Sequence, residues 1–220
     1  IEQIADTNRA YTTGSVLTVR SLRADEGGDD RITMGHGSDW VVAGQGADTV
    51  DIGTGGGVVL GDNGRIDANG SGVLTRIETQ DSEHGGSDTI VAGDGTAYVF
   101  GGTAGDDITT ANGDDVIAGD MGVLTFDTGV RYLFTSDIED PAYGGDDTVS
   151  TGAGDDWVLL GEGNDYSISD SGLNIVLGDA GRIEGEGSTG YYLRVENTQP
   201  GTGGNDTIIG DDQENTLAAG

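Results

Sequence analysis

Aspartates in this chain recur at fixed places within one short phrase. It reads G-x-G-x-D-x-U, with U apolar, and appears intact as GHGSDWV (35–41), GQGADTV (44–50), GAGDDWV (152–158) and, with a polar final residue, GEGNDYS (161–167). Alternating glycines let the backbone take positive φ, turn tightly and expose carbonyl oxygens. The aspartate two residues after the last glycine adds a carboxylate at the end of the turn. Stacked turns of this kind make an all-oxygen cage, which suits a hard divalent cation such as Ca²⁺ rather than zinc or copper.

The elements that position these turns follow from the rest of the phrase. Its final x-U-x is a three-residue strand with one side chain pointing inward. Gly-Gly pairs followed by an acid-rich strand begin at Gly27, Gly85, Gly144 and Gly203, a nearly constant spacing. Within each unit a period of nine recurs: GGDDRI (27–32) and GTGGGVV (53–59) in the first; GGSDTI (85–90), GDGTAYV (93–99), GGTAGDDI (101–108) and NGDDVI (112–117) in the second. The third adds GGDDTV (144–149) and SGLNIV (171–176), and the fourth opens with GGNDTI (203–208) and DQENTL (212–217). The organisation expected is the end of a preceding unit (1–26), repeat units over 27–84, 85–143 and 144–202, and the start of a fourth over 203–220.

Two nonapeptides make one coil, so the fold expected is all-β: a right-handed parallel β-roll (β-solenoid) of stacked short strands, with calcium-binding turns and a hairpin-like insertion once per unit, roughly every 58–59 residues. The inward column is Ile32, Val41, Val50, Val59, Ile90, Val99, Ile108, Ile117, Val149, Val158, Val176, Ile208 and Leu217, broken by Ser167. A core that thin, beside a formal net charge of −31, requires bound cations to supply part of the folding free energy.

These phrases resemble the glycine- and aspartate-rich nonapeptide GGxGxDxUx of the RTX (repeats-in-toxin, haemolysin-type) calcium-binding proteins. The resemblance covers roughly three quarters of the chain. Together with the turn chemistry it points to calcium ligands at the glycine slots Gly28, Gly37, Gly46, Gly86, Gly113, Gly145, Gly154, Gly163 and Gly204. The matching side chains are Asp30, Asp39, Asp48, Asp88, Asp106, Asp115, Asp147, Asp156, Asp165, Asn174 and Asp206. It also implies export through a type I secretion system and folding in calcium-rich medium outside the cell.

Alternate turns fall on opposite edges, so the motif residues separate by parity. After the fourth nonapeptide each unit carries an insert, GDNG (61–64), GDMG (119–122) or GDAG (178–181), then an irregular stretch that runs to the next Gly-Gly pair. Counted as a fifth and a sixth half-coil, these give three full coils per unit and preserve parity. One edge then carries Asp30, Asp48, Asp88, Asp106, Asp147, Asp165 and Asp206, all intact. The other carries Asp39, Gly57, Ala97, Asp115, Asp156, Asn174 and Asn215. Asp62, Asp120 and Asp179 of the inserts fall on the intact edge, as further ligands or as turn-forming residues. Strands after the degenerate turns are apolar on both faces (Trp40-Val41-Val42, Tyr98-Val99-Phe100, Trp157-Val158-Leu159) and require a cover. The strand-forming stretches Val73–Thr79, Val130–Thr135 and Tyr191–Glu196 supply it, or a neighbouring molecule does. Trp40, Tyr98 and Trp157 share one slot, an outward aromatic ladder expected to pack beneath that cover, with carbohydrate stacking or adhesion as the alternative.

Composition narrows the function. The 9 basic residues, all arginine, face 40 acidic ones, so nucleic acid is no partner. No apolar run is long enough to insert into a membrane. There is no cysteine nucleophile, HExxH or GxSxG motif, and His36 and His84 sit at turns, so the chain is not expected to be an enzyme. Two readings remain: a structural module of a secreted adhesin, surface layer or filament, or the calcium-triggered folding and secretion domain of a toxin or hydrolase whose catalytic part lies elsewhere. The long super-period favours the first, with self-association or continuation into a longer rod.

Overall fold

The structure, a computed structural model, describes residues 11–12, 15–136, 143–186, 192–199, 203–211 and 215–219. Tyr191 and residues 212–214, within stretches read above as strand or motif, lie outside the described residues. The described chain is all-β: beyond a short pairing of Tyr11–Thr12 with Ser15–Val16, its strands form three sheets of seven.

Each nonapeptide ends in one short strand, and successive strands go alternately to two parallel sheets. The first parallel sheet holds Arg31–Thr33, Thr49–Asp51, Thr89–Val91, Asp107–Thr109, Thr148–Thr151, Tyr166–Ser169 and Thr207–Ile209, in that order. The second holds Asp39–Val42, Gly57–Leu60, Ala97–Phe100, Val116–Ala118, Trp157–Leu159, Ile175–Leu177 and Thr216–Ala218. Pairing is in register on the apolar column: Ile32 with Val50, Val50 with Ile90, Ile90 with Ile108, Ile108 with Val149. Val50, Ile90, Ile108 and Val149 of one sheet meet Val59, Val99, Ile117 and Val158 of the other in a single core, all fully buried. Ser167 takes its place in that column between Val149 and Ile208, also fully buried.

The inserts do not continue the coiling. Each insert and its following stretch form an antiparallel hairpin: Gly64–Ala68 with Leu74–Thr79, Gly122–Asp127 with Val130–Ser136, Gly181–Gly185 with Tyr192–Asn197. Thr18–Arg20 pairs with the first of these. Consecutive hairpins also pair with each other, Leu124 opposite Ile77 and Phe134 opposite Ile183, which closes the third seven-stranded sheet. Each unit therefore contributes two layers of parallel strands, not three. With strands about 4.8 Å apart, the advance per unit is roughly 10 Å. The expected parity nonetheless holds, because adding two half-coils or none leaves every later turn on the same edge.

The hairpin sheet covers the apolar outer face of the second parallel sheet. Val19, Ile66, Ile77, Leu124, Phe134 and Ile183 from the hairpin sheet pack with Val58, Leu60, Phe100, Val116, Trp157 and Leu177. Phe100 meets Phe134 edge-on at 5.7 Å between ring centres, a favoured aromatic geometry. This second core is one that the inward column alone does not predict. The shared aromatic slot is also not a continuous ladder. Trp40 pairs with Val58, Val58 with Tyr98, Tyr98 with Val116 and Val116 with Trp157, so a valine separates each aromatic from the next. One aromatic per unit, with two strands per unit, cannot touch its successor. Each packs under the hairpin sheet instead, as Tyr98 does edge-on against Phe126 at 5.3 Å.

Candidate metal centre

The turns that enter the first parallel sheet stack so closely that their glycine slots touch. A Cβ added to Gly46 would lie 2.5 Å from the Gly28 carbonyl carbon; one on Gly86 would lie 2.4 Å from the Gly46 carbonyl oxygen, and one on Gly204 1.7 Å from that of Gly163. At Gly46 the φ of +129° also lies where L-residues are strained. On the other edge the same stack runs through Gly37, Gly55, Gly95, Gly113, Gly154 and Gly172. All nine glycines expected as ligand positions lie in these two stacks. One slot of the first edge departs from the rule: Ala104 takes the place between Gly86 and Gly145, and it does so at φ +67°.

The motif aspartates form a hydrogen-bonded ladder along the first edge. The Asp30 N–H donates to Oδ1 of Asp48 (2.7 Å), Asp48 to Asp88 (2.7 Å) and Asp88 to Asp106 (2.7 Å). The series continues from Asp106 to Asp147 (2.8 Å), Asp147 to Asp165 (2.9 Å) and Asp165 to Asp206 (3.1 Å). Each carboxylate thus ties its layer to the one before through Oδ1. Its other oxygen is left over. The Oδ2 atoms of Asp48, Asp88, Asp106, Asp147, Asp165 and Asp206 are buried and accept no hydrogen bond. A buried carboxylate oxygen without a partner is costly, and six in one row imply a positive counterpart.

Electrostatics give the same answer. Burial pushes the carboxyl of Asp48 up to about 6, of Asp165 to about 7, of Asp88 to about 8 and of Asp106 to about 11. Asp147 also lies well above the ordinary carboxylate range, through burial first and then the charge of Asp120. Neighbouring aspartates add to the shift at each site. Without a cation Asp88, Asp106 and Asp147 resist ionisation at neutral pH; a bound dication reverses that balance. Among the described residues no three acidic or histidine side chains converge on one point. A cation at this edge must therefore draw further oxygens from the turn carbonyls.

The inserts reach the same edge. Asp62 accepts from the Gly86 N–H at Oδ1 (3.0 Å) and from the Thr103 N–H and hydroxyl at Oδ2 (2.6 and 2.9 Å). Asp120 accepts from Gly145 (3.1 Å) and Glu162 (2.6 Å). Both use their two oxygens to pin turns of the adjoining unit. Asp179 differs: Oδ2 accepts from the Asn197 amide (3.1 Å), while Oδ1 is buried without a partner.

The second edge is a partial copy. Ala97 N–H donates to Asp115 Oδ1 (2.8 Å), Asp115 to Asp156 (2.9 Å), Asp156 to Asn174 (3.0 Å) and Asn174 to Asn215 (3.0 Å). Where the carboxylate is missing, a turn carbonyl replaces it: Asp39 donates to Gly56 and Gly57 to Thr96. The Oδ2 atoms of Asp39, Asp115 and Asp156 are again buried without partners. Asn174 has no such atom to offer, since its amide nitrogen donates to the Asp170 carbonyl (3.1 Å). One cation on this edge comes from the chain itself. Arg131 of the middle hairpin donates to the carbonyls of Asp114 and Asp115 (3.3 Å each) and of Asp155 (2.8 Å). Sequence reasoning missed Arg131. The signal lay in aligning the hairpins, because Leu74 has the equivalent place in the first, after the same shift of register.

Comparison with known proteins agrees with this geometry. Residues 25–59, 142–176 and 200–220 match the RTX calcium-binding nonapeptide repeat, in four copies. The matched stretches leave out the second unit, where Ala97 and Ala104 replace a motif aspartate and a motif glycine. No curated protein and no solved structure matches the chain. The chain thus carries RTX calcium-binding nonapeptide repeats, spread from the first unit to the last, and repeats of this family bind calcium.

Proposed function

We propose that this chain is an extracellular structural module, a right-handed parallel β-roll that calcium folds and stiffens, forming part of a rod in a secreted adhesin, surface layer or filament. The observation that carries the reading is the row of buried, unpartnered Oδ2 atoms on the first edge. In this reading Asp48, Asp88, Asp106, Asp147, Asp165 and Asp206 each give Oδ1 to the fold and Oδ2 to calcium, and the stacked glycine slots give carbonyls. Asp39, Asp115, Asp156 and Asp179 supply fewer sites. Asp62, Asp120 and Asn174 hold turns. The units 27–84, 85–143 and 144–202 are the repeating modules, export follows the type I route common among RTX proteins, and no catalysis is assigned.

The regular hairpin sheet supports a rod over a secretion domain, because it gives every unit the same cover and the same advance. The test is calcium removal. Far-UV circular dichroism should show a largely unfolded chain in excess chelator and β-structure on calcium addition, at affinities of about 10⁻⁴–10⁻³ M for modules of this type. An unchanged spectrum in chelator would overturn the reading.

A further inference from the structure

The arginines of this acidic chain are not scattered. Arg20, Arg65, Arg76, Arg131, Arg182 and Arg194, six of the nine, lie on strands of the hairpin sheet, beside five acids on the same strands. Apart from Asp127, exposed acids lie mainly elsewhere, with Asp29, Asp94 and Asp146 along the turns and Asp107 on the first parallel sheet. The hairpin sheet is thus close to neutral in a molecule of net charge −31. It is the face through which two copies can approach with least repulsion.

Its outer charges are also ordered. On the first hairpin Arg65 stands opposite Glu78 and Asp67 opposite Arg76; on the third, Arg182 stands opposite Glu196 and Glu184 opposite Arg194. Between them the middle hairpin presents Val123 opposite Thr135 and Thr125 opposite Leu133, without charge. Along each charged strand the two outward residues have opposite sign, as in the Arg65–Asp67 pair at 2.7 Å and the Arg182–Glu184 pair at 2.8 Å. Their side chains stay partly open to solvent, 43% for Arg65 and 32% for Arg182.

We propose that the outer face of the hairpin sheet is a contact surface for a second copy of this chain, with the two long axes parallel. A two-fold axis running along the sheet, across its strands, places each outward residue over its same-strand neighbour in the partner copy. Arg65 then meets Asp67, Arg76 meets Glu78, Arg182 meets Glu184 and Arg194 meets Glu196, each twice. The middle hairpins, which carry no charge at the four matching positions, meet each other. Exposed ion pairs contribute little each, so the contact is weak per unit, and its charge pattern sets orientation more than affinity. Repetition along a rod strengthens it. The proposal adds to the rod reading but rests on the hairpin sheet alone.

The test uses the full chain at saturating calcium and low salt, with sedimentation velocity over a concentration series. Circular dichroism of the same samples reports folding, so failure to fold with calcium is distinguished from failure to associate. The parent chain should dimerise, less so in high salt. The acidic variant Arg65→Asp/Arg182→Asp and the basic variant Asp67→Arg/Glu184→Arg should each fold yet associate at least tenfold more weakly. An equimolar mixture of the two should recover association, because acid then faces base at every altered position. A folded parent that stays monomeric, variants that associate as well as the parent, or a mixture that fails to recover would each overturn the proposal.

Discussion

The guanidinium of Arg131 lies 4.4 Å from the centre of the Trp157 ring. The same group holds carbonyls from two successive turns of the second edge. A residue of the hairpin sheet thereby fastens two layers of the roll, and the electropositive group sits on the ring face where such contacts are favourable.

Replacing Arg131 should therefore loosen the middle hairpin. Arg131→Ala removes charge-assisted hydrogen bonds and a ring contact, together worth about 2–4 kcal/mol. Arg131→Leu restores the side chain found at the equivalent Leu74 and should lose less. Thermal unfolding in saturating calcium measures both, and an unchanged midpoint for Arg131→Ala would count against the clamp.

The two edges should bind calcium unequally. Asp48→Ala or Asp106→Ala removes a ladder bond and an unpartnered oxygen at once, and isothermal titration should show fewer ions or weaker binding. Asp106→Asn separates these roles: it keeps an Oδ1 for the Asp88 N–H but removes the anionic oxygen, so calcium binding should fall with a smaller loss of fold. Asn174→Ala and Asn215→Ala should change calcium binding little. A structure with equal ion occupancy along both edges would contradict this order.

In the calcium-free chain, acid should favour the fold. The carboxyls of Asp48, Asp165 and Asp88 are raised from the ordinary 3.8 to about 6, 7 and 8. A raised carboxyl pKa means that the folded state holds its protons more tightly, so the contribution is present below about pH 4 and is lost as pH rises through the folded values. Circular dichroism in chelator should show β-structure increasing from pH 8 toward pH 5. Calcium competes with those protons, so its affinity should weaken over the same interval. Less β-structure in chelator at pH 5 than at pH 8 would reverse the sign.

Backbone strain at one turn should be removable. Ala104 holds φ +67° in a column otherwise made of glycine, and Ala104→Gly should stabilise the calcium-loaded protein by about 1 kcal/mol. Gly154→Ala is the converse, because its Cβ would lie 1.9 Å from the Gly113 carbonyl oxygen. Chemical denaturation of the two variants should move in opposite directions.

The repeating parts of the molecule were legible because period and chemistry coincide. Nine-residue spacing sorts Asp48 and Asp106 to one edge and Asp39 and Asp115 to the other whatever lies between units. The apolar pairs Tyr98–Phe100 and Trp157–Leu159 announced a covered face. The hairpins were harder to read. Asp62 follows a glycine as motif residues do, yet it accepts turn N–H groups, and Gly64 begins an antiparallel strand rather than another coil. Nothing local distinguishes those fates, which depend on Ile66, Leu124 and Ile183 finding the second parallel sheet. Ala104 and Arg131 were missed for a related reason: each departs from its repeat, and only stacking reveals what the departure touches.

All three sheets gain two strands per unit, which makes the module a ruler with one allowed graduation. Losing or adding a single coil would shift the parallel sheets by one strand, about 4.8 Å, against a hairpin sheet that had not moved. Ile66, Leu124 and Ile183 would then meet the wrong rows beneath them. Length in such a chain can change without penalty only by whole units, each an advance of roughly 10 Å.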